Sequence, residues 1–122
     1  MKISSGIDLI EIPRIKKALD RHGERFLNRI FTEAEIKQAR GNAPELAARF
    51  AAKEAASKAL GTGIGLISWR EIETINELSG KPQIHLYGKA ARIAQKLGYS
   101  TWSVSLTHSR GMAAAIVVCL GS

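Results

Sequence analysis

One stretch of the chain, residues 49–65, limits the possible folds more than any other. Its first twelve residues are rich in alanine and contain no glycine, proline or β-branched residue, which predicts a helix. The Gly-Thr-Gly-Ile-Gly that follows lets the backbone reach positive φ, as helix ends often require. At helical spacing, Ala52, Ala55, Ala56 and Ala59 share one side. Such small side chains let a helix approach a neighbouring element closely, so we expect this helix at the centre of the fold.

The other side of this predicted helix carries charged residues. Glu54 and Lys58 lie four residues apart with the acid first, so their side chains are neighbours on the helix surface. One interpretation is an ordinary solvated ion pair, worth only about 0.2–0.5 kcal/mol; the other is a pair of functional groups. Arg49 lies roughly 140° around the helix from Glu54, so if both bind the same type of ligand, Arg49 does so in another subunit's site. The glycines favour a helix end over a phosphate loop, since such loops usually precede their helix.

Length and composition indicate a single globular domain, residues 1–122, with 45% hydrophobic and 24% charged residues. Cys119 is the only cysteine, which excludes an internal disulfide and a cysteine-based zinc site and fits a reducing cytoplasm. No signal peptide is visible, and the longest apolar run, residues 112–120, is too short to cross a bilayer. The net charge of +7 favours an acidic partner: nucleic acid, a phosphorylated cofactor, an anionic membrane surface or an acidic protein.

An aspartate interrupts the first predicted strand, residues 2–10. Ile3, Ile7 and Leu9 fall on one face of this strand, and Asp8 falls on the other. Aspartate is depleted in strands, so its presence needs a reason. Either the strand lies at a sheet edge with Asp8 in water, or a rigid element holds this carboxylate to bind a metal or to act as a base.

Cations recur along the next predicted helix, which opens with a proline suited to its first position. Arg14, Lys17 and Arg21 stand at positions i, i+3 and i+7 and therefore share a face, and Arg25 and Arg29 follow in a second short helical segment. A basic stripe is commonly only a solvated face. Five cations, however, make this stripe a candidate docking surface for an acidic partner.

The remaining pattern predicts an α+β fold with a mainly antiparallel sheet packed against the long central helix. A capping box at residues 32–35 starts a short helix. Strands are predicted at residues 69–75, 83–87, 99–107 and 112–120, and a helix at residues 89–97. The last two strands form a predicted hairpin with a turn at residues 108–111, and Trp102, Val104 and Leu106 are expected to face inward.

The three histidines show no metal-ligand spacing, and nothing resembles a Ser-His-Asp triad or a phosphate-binding loop. His22 lies near a predicted helix end and His85 on the polar face of a strand, where structural or solvated side chains are typical. His108 lies at the mouth of the predicted hairpin beside hydroxyl residues and Arg110. We therefore keep His108 as a candidate anion-binding group.

Several of these segments together resemble a known family. Residues 6–12 (Gly-Ile-Asp-Leu-Ile-Glu-Ile), with Arg14 just after them, combine with residues 49–61 (Arg-Phe-Ala-Ala-Lys-Glu-Ala-Ala-Ser-Lys-Ala-Leu-Gly). The likeness continues through Gly-Lys-Pro at residues 80–82 and Ser-Leu-Thr-His-Ser at residues 105–109, so it spans essentially the whole chain. In these segments the chain resembles the holo-acyl-carrier-protein synthases, the short bacterial type of 4′-phosphopantetheinyl transferase.

The resemblance implies a reaction and a set of site residues. The phosphopantetheine arm of coenzyme A would be transferred to a serine of apo-acyl carrier protein, leaving adenosine 3′,5′-bisphosphate. Asp8 and Glu54 would bind Mg²⁺, and Lys58 would contact the phosphates or assist the leaving group. Arg49 and His108 are weaker candidates for binding coenzyme A phosphates. A carboxylate or a metal-bound water would deprotonate the serine.

The resemblance also implies partners and an assembly. Acyl carrier proteins are acidic, so Arg14, Lys17, Arg21 and Arg25 become the expected docking surface. The family fold is α+β, and in the short type three subunits form a trimer with sites at the interfaces. A cytoplasmic enzyme of fatty acid biosynthesis is the expected setting.

Two other classes of function remain in view. A small basic nucleic-acid-binding module would explain the charge, but the chain has no aromatic-rich basic strand, zinc pattern or helix-turn-helix. We therefore expect neither a nucleic-acid nor a membrane partner. A carrier-protein-binding module that has lost catalysis is the other alternative, and the presence of Asp8, Glu54 and Lys58 argues against it.

Overall fold

Five helices and five strands make up an α+β fold in this computed structural model, which describes all of residues 1–122. The elements follow in the order β1 (Lys2–Glu11), α1 (Ile12–His22), α2 (Glu24–Ile30), α3 (Glu33–Ala39), α4 (Ala43–Leu60), β2 (Ile72–Asn76), β3 (Pro82–Leu86), α5 (Gly88–Leu97), β4 (Tyr99–Ser109) and β5 (Met112–Gly121). None of the helices is long and apolar enough to span a membrane.

The long helix α4 lies at the centre of the molecule, as its alanine content predicts. Its start is capped by the Asn42 side chain, which accepts a hydrogen bond from the Glu45 amide at 3.0 Å. It ends at Gly61, whose φ of 78° supplies the left-handed conformation that closes a helix. Because alanine is small, the face of α4 that carries Ala52, Ala55 and the neighbouring alanines is fully covered by other elements.

The closest approach in the fold is between β1 and the alanine face of α4. A Cβ atom placed on Gly6 would lie 1.9 Å from the Ala55 carbonyl oxygen, so only glycine fits at this crossing. One turn further along α4, the Ser4 hydroxyl donates a hydrogen bond to the Ala59 carbonyl at 2.7 Å. These contacts fix the position of β1 along the helix, and Asp8 lies just beyond them on the same strand face.

A three-stranded antiparallel sheet, in the order β1-β5-β4, packs one face on α4. On β5 that face carries the buried residues Ala113, Ala115, Val117 and Cys119. The opposite face of the sheet is open. There the large apolar side chains on β1 and on β5 are exposed, and they are Ile3, Ile7, Leu9 and Ile116. On β1, therefore, the face that bears Asp8 packs against the helix and the isoleucine face does not.

A fully buried ion pair holds α3 and α4 against the second sheet, which is formed by β2 and β3. Lys53 Nζ lies 2.7 Å from Glu35 Oε1, and it also donates hydrogen bonds to the carbonyls of Trp69 and Ile72. Glu35 Oε2 accepts the Thr74 amide at 2.9 Å. The capping box predicted at residues 32–35 is present, so Glu35 serves both the helix start and the core.

The structure corrects several predicted boundaries. Residues 69–71, expected to begin a strand, form a 3₁₀ turn, because the Ser68 amide bonds to the Glu71 side chain and closes a capping box there. The strands lie in two separate sheets rather than one. The turn expected at residues 108–111 is shorter, since His108 and Ser109 continue β4 and only Arg110 and Gly111, both with positive φ, make the turn.

Candidate active site

The aspartate of β1 and the exposed face of α4 come together at the Gly6 crossing. Lys58 Nζ lies 3.1 Å from Asp8 Oδ1 and donates a second hydrogen bond to the Ile7 carbonyl at 3.0 Å. The Asp8 side chain is 19% exposed and that of Lys58 is 52% exposed. The strand that carries Asp8 lies at the edge of its sheet, as one interpretation of the sequence predicts. The Asp8 carboxylate, however, accepts a hydrogen bond from Lys58 and is not simply solvated.

Glu54 belongs to the same group of charges. Partial burial raises the pKa of the Glu54 carboxyl, the neighbouring Asp8 carboxylate raises it further, and Lys58 acts in the opposite direction. The Ser57 hydroxyl donates to the Glu54 carbonyl at 2.7 Å and so stays within the helix. The structure thus brings Asp8, Glu54 and Lys58 together in one partly exposed cluster.

Two carboxylates beside each other fit a divalent cation. Their mutual repulsion, which contributes to the raised pKa of Glu54, is relieved when a cation lies between them. No cluster of three or more His, Cys, Asp and Glu side chains suited to a metal occurs in the chain. Mg²⁺ commonly takes only one or two carboxylates and fills its other positions with water and phosphate oxygens. The donor set of Asp8 and Glu54 therefore suits Mg²⁺ bound together with a phosphorylated substrate.

Arg49 and His108 lie apart from that cluster, beside a cavity of about 500 Å³ at the start of α4. His108, Glu45 and Lys81 line the cavity. Arg49 is buried, and its Nη1 lies 2.8 Å from Glu45 Oε2. Glu54 is the ninth residue after Glu45 on the helix, which places it about 13 Å further along at 1.5 Å per residue. Within one chain the predicted site residues thus form two groups.

The predicted docking residues are all exposed. Arg14, Lys17 and Arg21 lie on α1, which directly follows β1, and Arg25 lies on α2. None of them forms an ion pair within the chain. The cations of this surface are therefore available to an acidic partner.

Comparison with known protein families identifies the family of this chain. Residues 4–117 match the model of the 4′-phosphopantetheinyl transferase superfamily, and this range includes α4 and most of β1 and of the final hairpin. The chain belongs to the 4′-phosphopantetheinyl transferase superfamily.

Relatives within this superfamily span nearly the whole chain. A holo-[acyl-carrier-protein] synthase of Herpetosiphon aurantiacus is 51% identical over 96% of this chain and 98% of its own. The Helicobacter pylori holo-[acyl-carrier-protein] synthase, solved in complex with coenzyme A, matches at a TM-score of 0.88 and 33% identity over 95% of this chain and 99% of that one. A Bacillus anthracis holo-(acyl-carrier-protein) synthase, solved with CoA (3′,5′-ADP), matches at a TM-score of 0.80 and 39% identity over 98% and 96% of the two chains.

Two residues that lie beside the predicted Arg49 and His108 were not singled out from the sequence. Glu45 contacts Arg49 and lies 4.0 Å from His108, and Lys81 lines the same cavity. The spacing of four between Glu45 and Arg49 was visible in the sequence and predicts such a contact on a helix. The approach of residues 80–82 to the final hairpin depends on tertiary structure, so no local pattern could reveal it.

Proposed function

We propose that this protein transfers the 4′-phosphopantetheine group of coenzyme A to a serine of apo-acyl carrier protein, releasing adenosine 3′,5′-bisphosphate. The observation that carries the proposal is the meeting of Asp8, Glu54 and Lys58 at the Gly6 crossing in a chain of this superfamily. The near full-length relatives named holo-[acyl-carrier-protein] synthase support the choice of acceptor.

Asp8 and Glu54 are proposed to hold Mg²⁺ beside the pyrophosphate of coenzyme A. When bound there, the cation neutralises charge that develops on the pyrophosphate during attack. Glu54 must be ionised to take part, so its raised pKa makes metal binding weaker as the pH falls. A cytoplasm at neutral pH is the proposed setting, and fatty acid biosynthesis is the proposed pathway.

Lys58 is proposed to hold a phosphate oxygen of the leaving group. Its ammonium group has three N–H donors, and two of them are used by Asp8 and the Ile7 carbonyl. The third remains for a substrate oxygen, and the exposed side chain lets a substrate reach it. A fixed cation at this position stabilises the negative charge of the departing bisphosphate. The same bond to Asp8 orients that carboxylate.

The acidic carrier protein is proposed to dock on Arg14, Lys17, Arg21 and Arg25. These cations are exposed and unpaired, and they lie on the elements that follow β1, next to Asp8 in the chain. Complementary charge speeds encounter and orients the partner more than it adds affinity. Docking there would bring the acceptor serine towards the Asp8 cluster.

The other end of coenzyme A is proposed to bind in a trimer at a neighbouring subunit's cavity, the one that His108 lines and that lies beside Arg49. Two features support the trimer. About 13 Å of helix separates this cavity from Glu54 within one chain. The open sheet face also exposes Ile3, Ile7 and Leu9, an apolar area that a second copy would cover.

Mass spectrometry of the carrier protein tests the proposed reaction. The protein is incubated with apo-acyl carrier protein, coenzyme A and Mg²⁺, and the carrier should gain the mass of phosphopantetheine. Omitting Mg²⁺ in the presence of a chelator should abolish the gain. Binding of the carrier without any mass gain would instead support a docking module, and binding of nucleic acid alone would support the other alternative.

Subunit mixing tests the shared site. Glu54→Gln and His108→Ala are each expected to have low activity, and dissociation followed by reassociation of the two should restore part of it. The same experiment with Arg49→Ala tests the buried arginine that contacts the cavity residue Glu45. No recovery despite proven subunit exchange, or a monomeric mass for fully active enzyme, would contradict the shared site.

A further inference from the structure

The cavity beside Arg49 contains a carboxylate where an anion-binding site would be expected to hold only cations. Glu45, Lys81 and His108 line it, together with residues 104–107 of β4. Arg49 lies directly behind Glu45. The inference that follows concerns Glu45 and rests on the proposed function.

Arg49 binds one carboxylate oxygen of Glu45, and the other oxygen faces His108. Oε2 accepts a hydrogen bond from Arg49 Nη1 at 2.8 Å. Oε1 lies 4.0 Å from His108 Nε2, an ion pair whenever His108 is protonated. The Glu45 side chain is 40% exposed, so it stands at the cavity wall in contact with solvent. It therefore lies between the two residues proposed to receive a phosphate.

Glu45 and Gln38 together occupy three of the five N–H groups of the Arg49 guanidinium. Nη1 also donates to the Glu45 carbonyl at 3.3 Å, and Nη2 donates to Gln38 Oε1 at 3.3 Å. The buried Nε has no partner. The positive charge of Arg49 is thus neutralised by a carboxylate of its own helix turn.

We propose that Glu45 is an internal competitor for the 3′-phosphate of coenzyme A and thereby sets the affinity for that phosphate. The pyrophosphate is assigned to the Asp8 cluster, so the remaining phosphate of coenzyme A, on the ribose, is the one for Arg49 and His108. To reach them, it must displace the Glu45 carboxylate or lie beside a like charge, and both weaken binding. The product adenosine 3′,5′-bisphosphate carries the same phosphate. Glu45 therefore lowers the affinity of the protein for this product equally and favours its release.

Binding of coenzyme A and of dephospho-coenzyme A, which lacks the 3′-phosphate, tests this role directly. The measurement is isothermal titration calorimetry with Mg²⁺ present. Glu45→Gln keeps an oxygen for Arg49 but removes the charge, and we expect it to bind coenzyme A about fivefold more tightly, the upper range for a partly exposed charge. Its affinity for dephospho-coenzyme A should not change. Glu33→Gln, which removes an exposed charge elsewhere, is the control and should bind both ligands as the wild type does.

Three results would overturn the proposal: no change for Glu45→Gln, an equal gain for both ligands, or weaker binding of coenzyme A. The last would mean that Glu45 holds Arg49 in place for the phosphate. If Glu45→Gln fails to fold, Gln38→Glu provides the opposite test, because it adds a carboxylate beside Arg49. This variant should bind coenzyme A more weakly and dephospho-coenzyme A as the wild type does. Unaltered binding by that variant would also overturn the proposal. Failure of the proposed reaction is seen separately, as absence of transfer by the wild type.

Discussion

Two lysines of α4, five residues apart, differ in burial, and the difference separates a structural charge from a candidate functional one. Lys53 and its partner Glu35 are 0% exposed, and their charged atoms lie 2.7 Å apart. Lys58 and its partner Asp8 lie 3.1 Å apart and remain partly open to solvent. The same residue type therefore forms a lysine–carboxylate pair on each side of one helix, in opposite surroundings.

The two pairs differ most in how many N–H donors of the lysine remain free. Lys53 donates to Glu35, to the Trp69 carbonyl and to the Ile72 carbonyl, so all three of its N–H groups are occupied. Burial lowers the pKa of Lys53, and the adjacent Glu35 opposes that shift. Lys58, by contrast, keeps a free donor in an exposed position. A saturated buried pair can only hold the fold, whereas an open one can also bind a substrate.

Removing the buried cation gives the largest expected effect on stability. Lys53→Met leaves Glu35 buried without its counter-charge, which should lower the free energy of unfolding by about 3–5 kcal/mol. Lys58→Met should lower it by less than about 1 kcal/mol, since exposed pairs add little. Urea denaturation of both variants, followed by circular dichroism, measures the difference. Equal losses of stability for the two variants would break the comparison.

Moving the strand against the helix should damage both the fold and the site. Gly6→Ala places a Cβ atom 1.9 Å from the Ala55 carbonyl oxygen, so the backbone must shift. We expect a stability loss of about 1–3 kcal/mol from overpacking and a loss of transfer larger than the unfolded fraction explains, because Asp8 moves away from Glu54. Ser5→Ala, on the exposed face of the same strand, is the control and should change neither. Wild-type turnover by folded Gly6→Ala would show that the crossing does not position the site.

Charges that are open to solvent should affect partner binding and not stability. Arg14→Glu combined with Arg21→Glu should raise KM for the acyl carrier protein at least about tenfold, through repulsion of an acidic partner, with little change in KM for coenzyme A. Added salt should weaken the wild type in the same selective way. The matched control on α5 is Lys89→Glu with Lys96→Glu, which has the same spacing and exposure. An equal effect of both double variants would mean that only net charge matters.

The smallest expected effect is on stability and comes from the carboxylate of Glu54. Burial and Asp8 raise the pKa of Glu54 in the folded state, so between its ordinary and its raised pKa the folded protein binds more protons than the unfolded chain. Stability contributed by protonated Glu54 is thus lost as the pH rises through that interval. Without divalent metal, Glu54→Gln should unfold at a slightly higher temperature than the wild type at pH 8, and the difference should vanish at low pH. A lower unfolding temperature for the variant at pH 8 would contradict this account.

The sequence predicted the elements better than it predicted their contacts. The α4 helix, its alanine face and the ends of α5 follow from spacing and from glycine positions, which are local signals. The role of Lys53 was not predicted, since a lysine among alanines looks solvated until Glu35 and β2 are placed around it. Similarly, the apolar face of β1 would be expected to face the core, but glycine on the other face allows a closer approach to α4.

The site was predicted through its motifs, and its geometry came from tertiary structure. Asp8, Glu54 and Lys58 were chosen together from the sequence, and they lie together in the fold. The ion pair of Arg49 with Glu45 could be anticipated from helical spacing. The burial of Arg49, and the approach of Glu45 to His108, depend on how β4 packs beside the start of α4.

The transfer rate of Glu54→Gln at limiting Mg²⁺ tests the central claim most directly. The claim is that the partly exposed Glu54 and Lys58 of α4, with Asp8, perform the reaction, whereas the buried Lys53–Glu35 pair maintains the fold. Loss of a charged metal ligand should reduce phosphopantetheine transfer at least about a hundredfold, while the variant stays as folded as the wild type by circular dichroism. Near-normal transfer by folded Glu54→Gln at limiting Mg²⁺ would contradict the account.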